Sequence, residues 1–314
     1  IKNVILLGAT GNLGTEILNA LINSGQFTVT IAQRASSSSR PGPKAPSDKF
    51  ITVNIDDDLS LDSLKAAFRG QHAVIVATRP GDGQSQLRIA DAAAATPGMR
   101  RVIPADYGSC DSTTARAQEL VPIFKRKAEV RARLQSLAEA SSSSSSSSSF
   151  SWTSIVCGHF FDWGLRENFL HFNLRTRTAD ILGDGTMRSS TSTLARVAEA
   201  VVRVLSPEHE ARTRNMIVYV QSFCVSQLDV LRALERATSG GGGGGKEWQA
   251  KYIDAEEFIA ENKARVEKGE TEANEDLVFA LGAIDGDWTT REGFAMEMLG
   301  LEDEDLDEVV GRVV

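Results

Sequence analysis

Short apolar runs alternate with segments of helical spacing through the first half of the chain. Val4-Ile5-Leu6-Leu7 and Val74-Ile75-Val76 are apolar on consecutive positions, the pattern of strands covered on both faces. Such runs predict strands over Asn3–Leu7, Thr28–Ala32, Ile51–Ile55, Ala73–Ala77, Arg101–Ile103 and Trp152–Cys157. Between them, apolar positions three and four apart predict helices near Leu13–Ser24, Leu59–Arg69, Gln84–Ala95 and Glu119–Ala138. Strand–helix alternation makes a parallel sheet with helices on both faces, so the expected class is α/β with a Rossmann-type, doubly wound sheet.

The second half is less regular. Its spacing predicts helices near Thr193–Leu205, Ser226–Thr238, Ala255–Lys268, Asn274–Leu281 and Arg291–Leu299, and one strand, Met216–Val220, returning to the main sheet. The expected organisation is a first domain over 1–157 and a smaller, mostly helical second domain over 158–314. Ser36–Ser39, Ser141–Ser149 and Gly240–Gly245 fall between predicted elements and read as flexible connections. The acidic segment Glu302–Glu308 reads as a solvated helix or chain end.

Charge narrows the function classes. The chain has 34 basic and 42 acidic residues, a net charge of −8, which argues against a nucleic-acid partner. No apolar run approaches the roughly 20 residues that span a bilayer, and the chain opens directly on a strand, without the pattern of a leader. No membrane partner is therefore expected. Cys110, Cys157 and Cys224 are far apart and form no CxxC pair, which suggests neither a disulfide framework nor a metal site. A reducing, cytoplasmic location follows as the expectation.

The motif richest in chemistry is Gly8-Ala9-Thr10-Gly11-Asn12-Leu13-Gly14. It follows an apolar strand and opens an amphipathic helix carrying Leu13, Ile17, Leu18, Leu21 and Ile22, the context a dinucleotide-binding loop requires. Gly8 suits the tight turn, Gly11 a close approach of backbone to a pyrophosphate, and Gly14 the packing of helix on strand. Amides at the helix start, through Thr10, Asn12 and Leu13, would face the phosphates. Thr78, at the end of the fourth predicted strand, joins the same candidate site. An NAD site carries Asp or Glu at the end of the second strand. Here that strand ends Ile31-Ala32-Gln33-Arg34. Arg34 is placed to pair with a 2′-phosphate, which makes NADPH (NADP+) the expected cofactor. Arg40 and Lys44 follow in the same loop and could add charge, but each reads first as a surface charge.

The helix after the fifth strand places Ile123, Lys127, Val130, Leu134 and Leu137 along one line, so Lys127 is predicted to face inward. Lys125, Arg126, Arg131 and Arg133 fall off this stripe and read as solvated. An inward lysine beside a cofactor pocket can transfer a proton or hold the nicotinamide ribose. It can also be a packed stem whose ammonium escapes to water. Spacing leaves both readings open.

The Gly8–Gly14 loop, Arg34, Pro104-Ala105-Asp106-Tyr107-Gly108 and Phe124-Lys125-Arg126-Lys127-Ala128-Glu129-Val130-Arg131 together resemble the NmrA-like, isoflavone reductase-like family, an atypical branch of the short-chain dehydrogenases that includes the phenylcoumaran benzylic ether reductases. The likeness is specific in the first half and loose beyond it. The usual Tyr-x-x-x-Lys pair of that superfamily is absent, since Asp111, Phe223 and Glu256 stand four residues after Tyr107, Tyr219 and Tyr252. The resemblance implies that Lys127, in the family's Phe-x-x-Lys-x-x-Ile/Val-Arg motif, is catalytic, and that NADPH is the cofactor. The family's Pro-Ser-Glu-Phe-Gly appears here as Pro-Ala-Asp-Tyr-Gly, a departure that puts the family's plant phenylpropanoid substrates in doubt for this chain. It also implies that Tyr107 and the segment Cys157–Trp163 border the substrate pocket, with His159, Phe160 and Phe161 as candidates. Residues alone read that aromatic segment equally as core, and His159 as a structural histidine.

Two functions of different class follow. One is an NADPH-dependent reductase delivering hydride to an aromatic, quinone-like or enone-like small molecule, with an NADP-binding domain followed by a substrate-binding domain. The other is an NmrA-like redox sensor that binds NADP(H) and controls a partner protein without needing Lys127. A nucleotide-sugar epimerase or dehydratase is disfavoured by the missing Tyr-x-x-x-Lys pair.

Overall fold

The computed structural model describes residues 1–37, 42, 45–79, 83–142, 150–239 and 247–314. Arg40, Lys44, the glycine run 240–245 and residues 143–149 of the long serine run lie outside the described residues.

The chain forms two compact units. The first comprises residues 1–107, 123–155 and 197–218. It is built on strands β1 (Asn3–Leu7), β2 (Thr28–Arg34), β3 (Phe50–Ile55), β4 (Ala73–Val76), β5 (Arg101–Ile103) and β6 (Ser151–Val156). Their order across the sheet is β6-β5-β4-β1-β2-β3, and strand Met216–Tyr219 lies beyond β6. Strands β1 to β6 pair in parallel. The order reverses beside β1, the switch point at which doubly wound sheets bind ligands at the strands' carboxyl ends. Val4, Ile5, Leu6, Val74 and Ile75 are completely buried, as their unbroken apolar runs require.

Helices α1 (Asn12–Ser24), α2 (Leu61–Phe68) and α3 (Gln84–Ala94) connect the first strands. The helix expected near Glu119–Ala138 is two: α4 (Ala115–Leu120), which belongs to the second unit, and α5 (Pro122–Ser142). Pro122 has no amide to continue α4 but is suited to the first position of α5.

The second unit comprises residues 108–122, 156–196 and 219–314. Alongside its helices it holds two three-stranded sheets. One contains Phe223–Ser226, Arg188–Ser192 and His159–Phe160; the other contains Gln249–Ile253, Thr178–Leu182 and Phe172–Asn173. The polar strand Arg188–Ser192 gives no apolar alternation to read in the sequence. Ser190 and Ser192 are nevertheless fully buried, their hydroxyls donating to Gln221 Oε1 and the Cys157 carbonyl. The helix expected over Arg291–Leu299 does not form. Gly293 adopts φ of 88°, outside the helical region, and the segment is a series of turns with a bridge from Phe294 to Tyr219. Gly183-Asp184-Gly185 is the expected turn, with Thr186 donating its amide to Asp184 Oδ1 at 2.9 Å.

Candidate functional site

The loop between β1 and α1 is shaped by the sterics of its glycines. Gly8 has φ of 90°, and a β-carbon there would stand 2.6 Å from the Ala77 carbonyl oxygen. A β-carbon on Gly14 would stand 1.9 Å from the Gly8 carbonyl oxygen. Gly11 differs: its φ is −75°, and the nearest atom to an added β-carbon is 3.5 Å away. The fold's own packing therefore does not require glycine at position 11. Gly11 is the residue immediately before α1. That helix start has no side-chain cap and no acidic residue in its first turn, so its unshared amides and positive dipole end are left for an anion.

A cavity of about 190 Å³ runs from this loop along the carboxyl ends of the strands. Gly8, Thr10, Arg34 and Thr78 all line it, together with Gln33, Ile55 and Ile89. Gly11, Asn12, Leu13 and Gly14, at the start of α1, are expected cofactor residues that are not among those lining it. Arg34 ends β2 and its side chain is exposed. The fold adds an acid near it that the spacing within β2 could not show. Asp57, just past β3, accepts from the Ser36 amide at 3.1 Å and the Ser36 hydroxyl at 2.6 Å. Those two bonds, assisted by the charge of Arg34, hold its carboxyl below the ordinary carboxylate value.

Lys127 does not line that cavity. It is buried on α5 and donates from Nζ to the backbone carbonyl of Asp106, with its ammonium 5.6 Å from the centre of the Phe124 ring. The inward expectation for Lys127 holds, but the buried face is rotated from the one spacing suggested. Phe124, Lys127, Val130, Arg131, Leu134 and Ala138 are buried, while Ile123 and Leu137 are half-exposed. Arg131, expected in solvent, is a correction. Its Nε lies 2.5 Å from Asp106 Oδ2 with both side chains nearly inaccessible. Ser154 on β6 also donates to Asp106 Oδ2. Burial pushes the Asp106 carboxyl up, but Arg131 and then Lys127 outweigh it and hold it below its ordinary value. A carboxylate distant in sequence draws Arg131 inward, because a buried charge needs a charged partner. Tyr107, next in the loop, is buried and adopts φ of 38°, a region a bulky residue enters only when the surroundings enforce it.

In the second unit, His159 is buried, with Nε2 3.3 Å from the Val278 carbonyl and its ring against Phe169 and Phe279. Burial lowers its pKa to about 4, so the ring is neutral at physiological pH. Phe161 is completely buried and packs edge-on against Phe223, whereas Phe160 is half-exposed.

The NmrA-like family model matches residues 1–239. The chain belongs to the NmrA-like family. Among relatives of this NmrA-like protein is an oxidoreductase of Aspergillus flavus, aprR, 35% identical over 317 residues and covering 99% of this chain and 98% of its own. The oxidoreductase poxI of Penicillium oxalicum is 28% identical over 319 residues, covering 98% of this chain and 92% of its own. Solved structures share the fold over the whole chain. AtPrR2 with NADP+ and (+)pinoresinol superposes with a TM-score of 0.75 at 19% identity, covering 100% of this chain and 99% of that one. The binary complex of leucoanthocyanidin reductase with NADPH from Vitis vinifera superposes with a TM-score of 0.72 at 15% identity, covering 99% of each chain.

Proposed function

We propose that this NmrA-like protein is an NADPH-dependent oxidoreductase that reduces an aromatic, quinone-like or enone-like small molecule in the cytoplasm. The observation that carries the reading is the pairing of a cofactor-shaped loop with an inward lysine. Gly11 is free of any packing demand for glycine, and Lys127 stands in the family's motif. Both relatives named above bear the name oxidoreductase, and solved neighbours were obtained with NADP+ or NADPH. The first unit would hold the cofactor and the second would supply substrate contacts. Among the described residues no helix is long and apolar enough to cross a membrane, and the three cysteines are buried outside any disulfide.

Residue by residue, Gly8, Gly11, Gly14, Thr10 and the first amides of α1 would bind the pyrophosphate, and Arg34 the 2′-phosphate. When bound, the nicotinamide supplies a hydride. Lys127 holds a proton at Nζ, positioned by the Asp106 carbonyl, and would orient the ribose or donate that proton to the reacting oxygen.

The test is Lys127→Ala, with NADPH binding followed by fluorescence and NADPH oxidation followed against aromatic ketones, enones and quinones. Retained binding with lost turnover supports the reductase. Wild type that binds NADPH but turns over no member of a broad panel would replace this reading with the sensor.

A further inference from the structure

Ser36 and Asp57 stand 21 positions apart in the sequence, and the sheet brings them together. Strands β2 and β3 run in parallel with Arg34 opposite Ile55, so the residues two places beyond each of these emerge side by side at the carboxyl ends. There Asp57 Oδ1 accepts from both the Ser36 amide, at 3.1 Å, and the Ser36 hydroxyl, at 2.6 Å. The carboxylate thereby fastens the short helical turn Ala35–Ser37, into which β2 passes directly after Arg34, to the chain beyond β3. Arg34 and Ile55 line the cavity over the strand ends, whereas Ser36 and Asp57 are not among the residues lining it. The pair holds the chain beside the cavity without forming its wall.

We infer that Asp57 is a positioning residue for cofactor choice: through Ser36 it fixes the turn that continues from Arg34, and so fixes where the Arg34 guanidinium can meet a 2′-phosphate. The inference rests on the reading of Arg34 as the group that takes that phosphate, and extends it to the residues that set its place. An exposed arginine loses side-chain freedom when it is ordered on a ligand, and a loose backbone beneath it would add to that cost. The anchored turn removes the second part. The charge of Asp57 by itself acts the opposite way. A carboxylate near a bound phosphate repels it, and Asp57 stands close enough to Arg34 for their charges to act on one another. One residue thus exerts two separable effects: anchoring, which favours NADPH, and repulsion, which disfavours it.

The experiment is titration of the full-length protein with NADPH and with NADH, followed by fluorescence, for wild type, Asp57→Ala, Asp57→Asn and Ser36→Ala. The readout is the ratio of the two dissociation constants, which a general loosening of the cavity does not move because the two dinucleotides differ only in the 2′-phosphate. Asp57→Ala removes both anchor and charge, and is expected to weaken NADPH about tenfold while leaving NADH within about twofold. Asp57→Asn keeps an oxygen that accepts from Ser36 but removes the charge, and is expected to bind NADPH at least as tightly as wild type. Ser36→Ala breaks the hydroxyl bond and keeps the amide bond, and is expected to weaken NADPH about threefold. Tighter NADPH binding in both Asp57 variants would show that repulsion is all the carboxylate contributes, and overturns the inference. So does an equal loss of NADPH and NADH, the mark of a structural role, or an unchanged ratio in every variant. Should Asp57→Ala not fold, Ser36→Ala decides, and an unchanged ratio there overturns it. Wild type that binds no NADPH overturns the cofactor reading and the inference with it, whereas failure of the variants in a wild type that binds NADPH overturns the inference alone.

Discussion

Gly14 lies directly against Gly8: a β-carbon on Gly14 would sit 1.9 Å from the Gly8 carbonyl oxygen, whereas one on Gly11 would meet nothing closer than 3.5 Å. The two glycines thus serve different ends, and alanine substitution separates them. Gly14→Ala forces α1 away from β1 and is expected to destabilise the protein by roughly 2–3 kcal/mol, in the range of overpacking. Gly11→Ala should leave the thermal midpoint within a degree or two of wild type yet weaken NADPH binding at least tenfold, about 1.4 kcal/mol. Equal thermal stability of the two variants would refute the distinction.

In the proposed function, Arg34 distinguishes NADPH from NADH. Arg34→Ala is expected to cost about 10- to 100-fold in NADPH affinity, since it removes a charge-assisted contact, and to change NADH affinity little. Titration of both dinucleotides by fluorescence checks this. Equal loss for both would remove the 2′-phosphate from the account.

Arg101 is a buried charge of the first unit. It is completely buried, with Nε 2.9 Å from Ser151 Oγ, Nη1 2.6 Å from Thr153 Oγ1 and Nη2 2.6 Å from the Glu210 carbonyl. Burial lowers its pKa to about 10, which still leaves it charged at neutral pH. Arg101→Ala strips partners from several buried oxygens and is expected to cost roughly 3–5 kcal/mol in urea unfolding. A loss below 1 kcal/mol would show that the site relaxes or admits water.

His159 makes stability depend on pH in a defined direction. Burial drops its pKa from 6.5 to about 4, so between these values the unfolded chain binds a proton that the folded protein does not. Stability therefore falls as pH falls from 6.5 to 4, by up to roughly 3 kcal/mol from this group. His159→Gln should flatten that part of the profile. An unchanged slope in denaturant titrations at pH 7 and pH 4.5 would assign the acid sensitivity to other groups.

The sheet, its parallel sense and the glycine-rich turn were legible because each depends on residues close in sequence. Buried strands show as unbroken apolar runs, and a tight turn declares itself through glycine within seven positions. Lys127 was legible as inward because helical periodicity acts over the same short range. Arg131 was not, since the periodicity of α5 cannot reveal a carboxylate 25 positions away, and only folding brings Asp106 and Ser154 against it. The same holds for Asp57, which reaches the neighbourhood of Arg34 only through the pairing of β2 with β3. Arg188–Ser192 hid its strand because the partners of its buried hydroxyls come from Cys157 and Gln221. Local patterning therefore determined the parallel sheet of the first unit and its glycine-rich loop. Which charges are buried together, and hence what each can do chemically, was decided by long-range packing, because the desolvation of one ion is offset only where the fold supplies another.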